Sequence, residues 1–367
     1  AATRTRTISR ELLKAIQDSL PRNTAKRNRA MKHKLFFLLA IPAVIMFSCA
    51  REDRAEKKYT VGLSLDSLVV ERWQRDLESF SRAARDLDME LLIRIANQNA
   101  ETQIEQIREM VTSGIDVLVV IPNDAKKLPE VIKQVKRKKI PVISYDRLVS
   151  DANVDLYISF DNEQVGALMA EAAAKASPQG SYVIVNGAVS DNNAFMIHSG
   201  FMRVLNPLAQ RGDIRLLEEI WPNEWTSEEV RPRFEAALTK YGSLDVVLCG
   251  NDMLAETVIA VLSENRMLGK TLVLGQDAEL AACQRVAERS QYATIYKPVE
   301  LLALKAAGFA LMLAKKEKLE TAQRISDGTY SVPYVKLAPI VVTADNLMDT
   351  VIRDGFHSGA DVYRNVK

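Results

Sequence analysis

The chain has 367 residues, of which 47% are hydrophobic and 26% are charged. These values are typical of a soluble globular protein and leave room for two domains. They exclude an intrinsically disordered chain, and three cysteines are too few for a small disulfide-stapled scaffold.

The positive charge is concentrated at the N-terminus. The formal net charge is +2, but residues 1–30 contain eight Lys or Arg against two acids, and Lys32 and Lys34 follow. The chain from Cys49 onward therefore carries a net charge of −6. Because nucleic-acid binding needs a basic surface, this mildly acidic body argues against nucleic acid as a partner.

Residues 31–48 have the layout of an export signal. Lys32 and Lys34 form a basic start, and residues 35–47 are a run of 13 without a polar side chain. This run is too short for a membrane-spanning helix, which needs about 20 residues, but it fits the apolar core of a signal peptide. Ser48 and Cys49 resemble the lipobox of bacterial lipoproteins, in which the Cys carries a diacylglycerol, although Met46 replaces the usual Leu.

We therefore expect residues 31–48 to be a lipoprotein signal peptide, Cys49 to be lipidated and residues 49–58 to be a charged tether. The alternative is a cleaved signal followed by an incidental Cys. Residues 1–30 precede a plausible start Met, so we interpret them as a non-native or mis-called extension. The body would then lie on the periplasmic side of the cell envelope, held at a membrane only by lipid.

From Tyr59 onward, predicted strands and helices alternate. Apolar and β-branched runs predict strands over 59–65, 90–96, 116–122 and 140–146. Patterns of helical spacing predict helices over 71–87, 101–113 and 128–138. Such alternation predicts a doubly wound parallel sheet flanked by helices.

The pattern then recurs, which predicts two similar sheets. GIDVLVVIPND (114–124) and GSLDVVLCGND (242–252) share a Gly, an Asp-Val step and an apolar run ending in Asn-Asp. Each is followed by a predicted helix and by a strand ending in Asp, at Asp146 and Asp277. Ligands of open parallel sheets bind beyond the carboxyl ends of the strands, so two facing sheets would form a cleft lined from both sides.

The polar residues at these strand ends and loops suit a sugar. Carboxylates accept bonds from neighbouring hydroxyls, Asn both donates and accepts, and Arg and Lys donate charge-assisted bonds. A Trp ring offers a flat apolar face for the C–H face of a sugar ring. The candidates are Arg72, Trp73, Asp146, Arg147, Asp191, Asn192, Asn193, Trp225, Asn251, Asp252, Asp277 and Lys297.

Four motifs among these residues carry a resemblance. ERWQ (71–74), SYDR (144–147), DNNA (191–194) and GQDA (275–278) resemble the xylose-binding family of periplasmic binding proteins of type I. The members of this family are the substrate-binding subunits of sugar ABC transporters. The resemblance runs from about Tyr59 to His357 without large gaps.

The resemblance implies an α/β fold of two Rossmann-like lobes joined by three hinge strands. The N-terminal lobe would comprise residues 59–163 and 298–327, and the C-terminal lobe residues 164–297 and 328–367. Asp161 and Asn162 would belong to the hinge. The sugar contacts of the family would fall on Arg72, Trp73, Asp146, Arg147, Asp191, Asn193, Trp225, Asn251, Asp277 and Lys297.

The implied function is the binding of one monosaccharide, with D-xylose the first expectation, and its delivery to a permease with cytoplasmic ATPase subunits. A monomer without cofactor or metal is expected. Alternatives are a sugar receptor for chemotaxis or sensing, contacting a chemoreceptor, and a binding protein for another aldose such as glucose. An enzyme is not expected: Asp191 and Asp277 could be read as a glycosidase pair, but nothing in the sequence predicts a raised pKa there.

Several of these residues also have structural interpretations. Asn, Asp and Gly after a strand are ordinary turn and helix-capping residues. Asp146 and Arg147 could pair locally, Trp73 could be a core residue of its helix, and Trp225 could anchor a loop. Cys249 and Cys283 lie in apolar stretches, as buried thiols or as a disulfide.

Overall fold

The computed structural model describes residues 57–366. It contains thirteen strands: β1 (Tyr59–Leu65), β2 (Met89–Ile95), β3 (Val117–Val120), β4 (Val142–Tyr145), β5 (Leu156–Phe160), β6 (Gly180–Val185), β7 (Ile214–Ile220), β8 (Val246–Cys249), β9 (Leu272–Gln276), β10 (Ala293–Tyr296), β11 (Gln323–Ser326), β12 (Ser331–Leu337) and β13 (Ile340–Thr343).

The helices of this part of the chain are α1 (Glu71–Asp86), α2 (Ala100–Thr112), α3 (Pro129–Arg137), α4 (Asn162–Ala176), α5 (Asn192–Gln210), α6 (Ser227–Tyr241), α7 (Asp252–Glu264), α8 (Leu280–Ala287), α9 (Val299–Ala314), a π-helical turn (Met348–Ile352) and α10 (Gly359–Val362). The seven elements predicted between residues 59 and 146 are all present, with ends within two residues of the prediction. No helix within residues 57–366 is both long and apolar enough to cross a membrane.

The strands form two sheets with the same central order. The first sheet runs β11-β12-β5-β4-β3-β1-β2, and the second runs β13-β10-β9-β8-β6-β7. Within each sheet the strands pair in parallel, except that β11 and β13 pair antiparallel at one edge. The internal repeat is therefore confirmed: β3 and β4 occupy the places in the first sheet that β8 and β9 occupy in the second.

Three connections join the sheets: from β5 into α4, from β10 into α9, and from β12 into β13. The third lies further along the chain than the predicted boundary at residue 328. Tyr334 to Leu337 of β12 pair with β5, so this strand belongs to the first sheet and the crossing falls at residues 338–339. The prediction was wrong here because a short strand after a turn carries no signal of the sheet it will join. The remaining boundaries stay predictions.

Each sheet is covered on both faces, which explains its nearly unbroken apolar strands. In the first sheet, Phe80 of α1 and Phe309 of α9 pack on one face, and α2 and α3 cover the other. In the second sheet, α6 and α7 cover one face and α4 and α5 the other. The core that contains Phe80 also contains Cys283, from the helix after β9, and Phe356, from the segment after β13. Apolar packing therefore continues from one lobe to the other.

Candidate functional site

The ten predicted contact residues line one cavity of about 30 Å³. Asp146, Asn251, Asp277 and Lys297 lie at or just after the carboxyl ends of β4, β8, β9 and β10. Residues from α1, from the start of α5 and from the loop before α6 complete the wall. Because residues from both lobes line the cavity, it is a cleft between the lobes, as the topology predicted.

Arg72 links the two lobes at the centre of the cavity. Its guanidinium lies 2.9 Å from Asp146 and 3.2 Å from Asp76 in the first lobe, and 3.6 Å from Asp277 in the second. Burial alone would lower the pKa of Arg72, but the charges of Asp146, Asp76 and Asp277 outweigh it and hold that pKa well above its usual value. Tyr145 also bonds to Asp76, which fixes the acid behind the guanidinium.

Asp146 stays ionised in this setting. Burial acts to raise its pKa, but the positive charges of Arg72, Lys297 and Arg147 outweigh burial and place it below its usual value. The backbone of Asp146 has a φ of 61°, in the left-handed region, directly after β4. The unusual conformation coincides with a carboxylate that contacts both lobes, since Asn193 of the second lobe donates to its Oδ1 at 3.1 Å.

Arg147 makes a second bridge between the lobes. It lies 2.9 Å from Asp66 of the first lobe and 2.8 Å from Asp191 of the second. The local pair between Asp146 and Arg147, considered as a structural alternative, is replaced by these longer-range pairs. Burial raises the pKa of Asp191, and the charge of Arg147 opposes that shift.

Asp191 and Asn251 combine capping with their place in the cavity. Asp191 accepts a bond from the backbone of Asn193 at the start of α5, and Asn251 accepts from Leu254 at the start of α7. Both residues are thus helix caps, as their structural interpretation held, and they also line the cavity. Capping fixes the rotamer of each side chain at the cavity wall.

Asp277 presents an acceptor without a hydrogen bond. Lys297 Nζ forms an ion pair with Oδ1 of Asp277 at 2.7 Å, although this buried oxygen has no hydrogen-bond partner. The Oε1 atom of Gln276, next along the chain, is also buried without a partner. Both residues line the cavity, where a donor from a ligand would meet these two acceptors.

The two Trp side chains differ in their surroundings. The ring of Trp73 is buried in the core of the first lobe, with the guanidinium carbons of Arg72 and Arg147 at 4.5 and 5.2 Å from its centroid. Trp225 is partly exposed, donates to Asp191 at 3.3 Å and lies against Gly187. A Cβ on Gly187 would be 2.1 Å from the Trp225 ring, so only Gly lets the indole lie over this edge of the cavity.

The sequence analysis missed three residues of the wall. Val70 and Gln276 line the cavity, and so does Asn162, which was expected only in the hinge. Asn162 donates to Ser159 at 3.2 Å, while Asp161 caps α4 at the first connection between the lobes. The signal for Gln276 was present, because it is the last residue of a strand whose next residue was already a candidate.

The cavity wall is almost entirely buried. Nine of the ten predicted residues are no more than 6% exposed, Trp225 being the exception. A space of about 30 Å³ holds only two or three water molecules, less than a sugar ring needs. A ligand of that size therefore enters and leaves only when the lobes part and the wall adjusts.

The lining charges are balanced. Arg72, Arg147 and Lys297 face Asp146, Asp191 and Asp277, and Asp66 and Asp76 add negative charge behind the guanidiniums. No cation is left uncompensated for a phosphate or carboxylate ligand. Within residues 57–366, no cluster of three His, Cys, Asp or Glu could hold a metal ion, and Cys249 and Cys283 are unbonded thiols.

Comparison with known proteins agrees with this architecture. The periplasmic binding protein domain matches residues 61–318. The chain belongs to the periplasmic binding protein family. This membership places it among binding proteins and not among enzymes, as the sequence led us to expect.

Curated relatives of this periplasmic binding protein cover nearly the whole chain. It is 39% identical over 334 residues to a D-xylose-binding periplasmic protein of Haemophilus influenzae, covering 91% of this chain and 100% of the relative. It is 38% identical over 333 residues to a D-xylose-binding periplasmic protein of Escherichia coli, covering 90% and 100%.

A solved structure has the same fold. The carbohydrate transporter solute-binding protein of Chloroflexus aurantiacus, in complex with D-glucose, superposes with a TM-score of 0.79 at 25% identity. The match covers 83% of this chain and 98% of that protein. The prediction of two Rossmann-like lobes is thereby confirmed.

Proposed function

We propose that this protein binds one monosaccharide, D-xylose, between its lobes and delivers it to the permease of an ABC transporter. The observation that carries the proposal is the convergence of ten polar and aromatic side chains from both lobes on one narrow cavity. In the bound state, Arg72, Asp146 and Asp277 would hydrogen-bond the sugar hydroxyls.

The chemistry of the cavity supports a polyol. Carboxylates and guanidiniums that already pair with one another offer both acceptors and donors, as vicinal hydroxyls require. Asp277, held by Lys297, and the buried Oε1 of Gln276 both offer acceptors to a sugar hydroxyl. Trp225, held over the edge of the cavity by Gly187, supplies an apolar face for the C–H side of a sugar ring.

The choice of D-xylose rests on the two relatives above, whose names state that sugar. Glucose is the second candidate, since the similar Chloroflexus aurantiacus protein holds D-glucose. The two sugars differ by one hydroxymethyl group, and a pocket of this kind discriminates by the space it leaves for that group.

Isothermal titration calorimetry tests the proposal. The protein beginning at residue 50 retains every described element, and it would be titrated with xylose, glucose, ribose, arabinose and galactose. We expect heat with xylose and a dissociation constant of about 1 μM or less. Heat with none of the five sugars would overturn the sugar assignment, and a clear preference for glucose would overturn the choice of xylose.

Transport and sensing are separated by a genetic experiment. A deletion strain that loses xylose uptake supports delivery to a permease. A strain that keeps uptake but loses sugar-directed swimming would instead support a receptor role at a chemoreceptor.

We propose in addition that the mature protein is lipid-anchored through Cys49, which lies outside the described residues, as do the proposed signal peptide (31–48) and the extension (1–30). Cells fed labelled palmitate should label the parent protein but not the Cys49→Ala variant. Equal absence of label in both would favour a cleaved signal with an incidental Cys.

A further inference from the structure

The C-terminal segment makes a contact between the lobes outside the cavity. This segment follows β13 and is fastened to the second lobe: Gln284 of α8 donates to the Asp361 carbonyl at 2.9 Å, and Asn365 donates to Glu288 at 2.7 Å. Its Phe356 and His357 face α1 of the first lobe, where Arg75 reaches them.

Arg75 holds both residues at once. One terminal nitrogen of its guanidinium donates to the Phe356 carbonyl at 2.7 Å, and the other lies 3.1 Å from His357 Nδ1. The guanidinium carbon also lies 4.4 Å from the centroid of the Phe356 ring. Arg75 is on the same helix as Arg72 and Trp73, which line the cavity.

The partners of His357 determine its tautomer. Arginine can only donate and a carbonyl can only accept, so Nδ1 must accept from Arg75 while Nε2–H donates to the Ala278 carbonyl at 2.7 Å. Ala278 directly follows Asp277. His357 therefore lies in a chain of bonds from α1 of the first lobe to the strand end that carries Asp277 in the second.

We infer that Arg75 and the Phe356–His357 segment form a closure contact, which holds the two lobes together around the ligand without touching it. The inference rests on the proposed binding function for its effect on affinity. Arg75 is a positioning residue here: its bonds cross from the first lobe to the second, so parting the lobes would break them, and they stabilise the closed form relative to the open one.

The contact is also sensitive to acid. A proton on Nδ1 of His357 would point an N–H at the guanidinium of Arg75 and break that bond. The titratable groups around His357 are Arg75 and Glu71 of α1, Glu279 beside Ala278, Cys283 of α8, Tyr296 of β10 and Asp361 of α10. Burial and Arg75 lower the pKa of His357 in the closed form, although the bond to Ala278 and the charges of Glu71 and Asp361 act to raise it.

The linkage then has a definite sign. Opening exposes His357 to water and removes Arg75, the two causes that lower its pKa, so the open form takes up the proton more readily. Affinity is full at neutral and alkaline pH and falls as the pH drops below about 6.5.

Arg75→Gln tests the closure contact against Arg82→Gln, a matched change at an exposed Arg of the same helix. We expect Arg75→Gln to weaken xylose binding about tenfold, mainly through faster dissociation, while Arg82→Gln changes nothing. Chemical unfolding of the ligand-free variants is the control for a general loss of stability. Equal affinities for the two variants would overturn the inference.

A distance measurement keeps this test separate from the identity of the sugar. In the protein beginning at residue 50, spin labels on Lys138→Cys and Lys270→Cys, exposed positions of the two lobes, report opening and closing without ligand, since Cys249 and Cys283 are buried. Arg75→Gln should lower the closed population relative to Arg82→Gln. An unchanged distribution of distances between the two spin labels would overturn the closure contact. So would an unsubstituted protein that is wholly open without ligand and binds no sugar. Both results hold whether or not the sugar assignment is correct.

His357→Asn isolates the pH dependence. Its amide oxygen replaces Nδ1 as the acceptor for Arg75 and cannot be protonated in this range. Between pH 8 and 5 the parent should lose affinity relative to the variant, by up to about tenfold per pH unit below the onset. Glu279 and Glu71 are present in both proteins and cancel in the comparison. Parallel profiles would contradict the role of His357.

Discussion

At the scale of single residues, the cavity is a network of buried charges that bridges the lobes. Arg72 and Arg147 each pair with acids of both lobes. Buried ion pairs add little net stability, but removing one partner leaves a costly unpaired charge. The network therefore holds polar groups ready for a ligand, and a substitution that removes one member is expected to affect folding stability as well as binding.

Asp277→Asn is expected to weaken xylose binding at least tenfold. The substitution keeps the shape of the side chain but removes the charge that strengthens its bond to a hydroxyl and its pair with Lys297. Calorimetry measures the effect, with Asp345→Asn at an exposed position of the second lobe as the control. An affinity equal to that of the control would show that Asp277 does not contact the sugar.

Gly187→Ala is expected to weaken binding about tenfold by displacing Trp225 from the cavity edge. Its new Cβ would otherwise lie 2.1 Å from the indole. The double variant Gly187→Ala/Trp225→Ala should bind no more weakly than Trp225→Ala alone, because the two changes act through the same ring. Additive losses measured by calorimetry would show that Gly187 acts on something other than Trp225.

At the scale of elements, residues at two strand-to-helix junctions both cap a helix and line the cavity. Asp191 and Asn251 begin their helices and also line the cavity. Asp252, next to Asn251, instead points into the second lobe, where Thr294 donates at 2.7 Å and Gln291 at 2.8 Å. The two residues of this Asn-Asp motif therefore have different roles: Asn251 lies at the cleft, and Asp252 connects α7 to β10.

Asp252 should make the stability of the second lobe depend on pH. Burial raises its pKa to about 7, although the bonds from Thr294 and Gln291 oppose that shift. The folded state then binds the Asp252 proton more tightly than the unfolded state does. The protonated carboxyl therefore contributes fully to the free energy of unfolding below about pH 4, and this contribution is lost as the pH rises toward 7.

Asp252→Asn removes that dependence. Relative to the variant, the parent should lose up to about 4 kcal/mol of unfolding free energy between pH 4 and pH 7, with no further change above. Urea unfolding across this range measures the difference. Curves that stay parallel would show that Asp252 is ionised in the folded protein at every pH tested.

At the scale of the whole molecule, closure is the property that makes two ordinary sheets into a binding protein. Neither lobe alone surrounds the cavity, since the acids and cations of each face those of the other. Ligand binding and the closed form are therefore thermodynamically linked, and xylose should stabilise the folded protein as a whole.

A thermal unfolding experiment checks this linkage. Xylose at a hundred times its dissociation constant should add about 2.7 kcal/mol and raise the unfolding midpoint by about 5 °C. Asp277→Asn at the same sugar concentration should show a smaller shift. A parent midpoint that does not respond to xylose would contradict binding to the folded state.

Local pattern was sufficient for the fold and for most of the cavity. Strands and helices between residues 59 and 146 follow from apolar spacing. The recurrence of Asn-Asp after one strand and of Asp after the next predicted two equivalent sheets. The ten predicted contact residues came from strand-end chemistry together with a family resemblance, and all ten line one cavity of the structure. Sequence reasoning could do this because the carboxyl ends of parallel strands meet at one edge whatever the details of packing.

Tertiary structure alone decided the rest. Only pairing shows that β12 belongs to the first sheet, since a strand of seven residues does not encode its neighbour. Only packing shows that Arg147 pairs with Asp66 and Asp191, and that Arg75 meets a His 282 positions away. Short-range pattern sets which elements form and where their polar ends lie, whereas partners across the cleft depend on how two separately folded sheets meet.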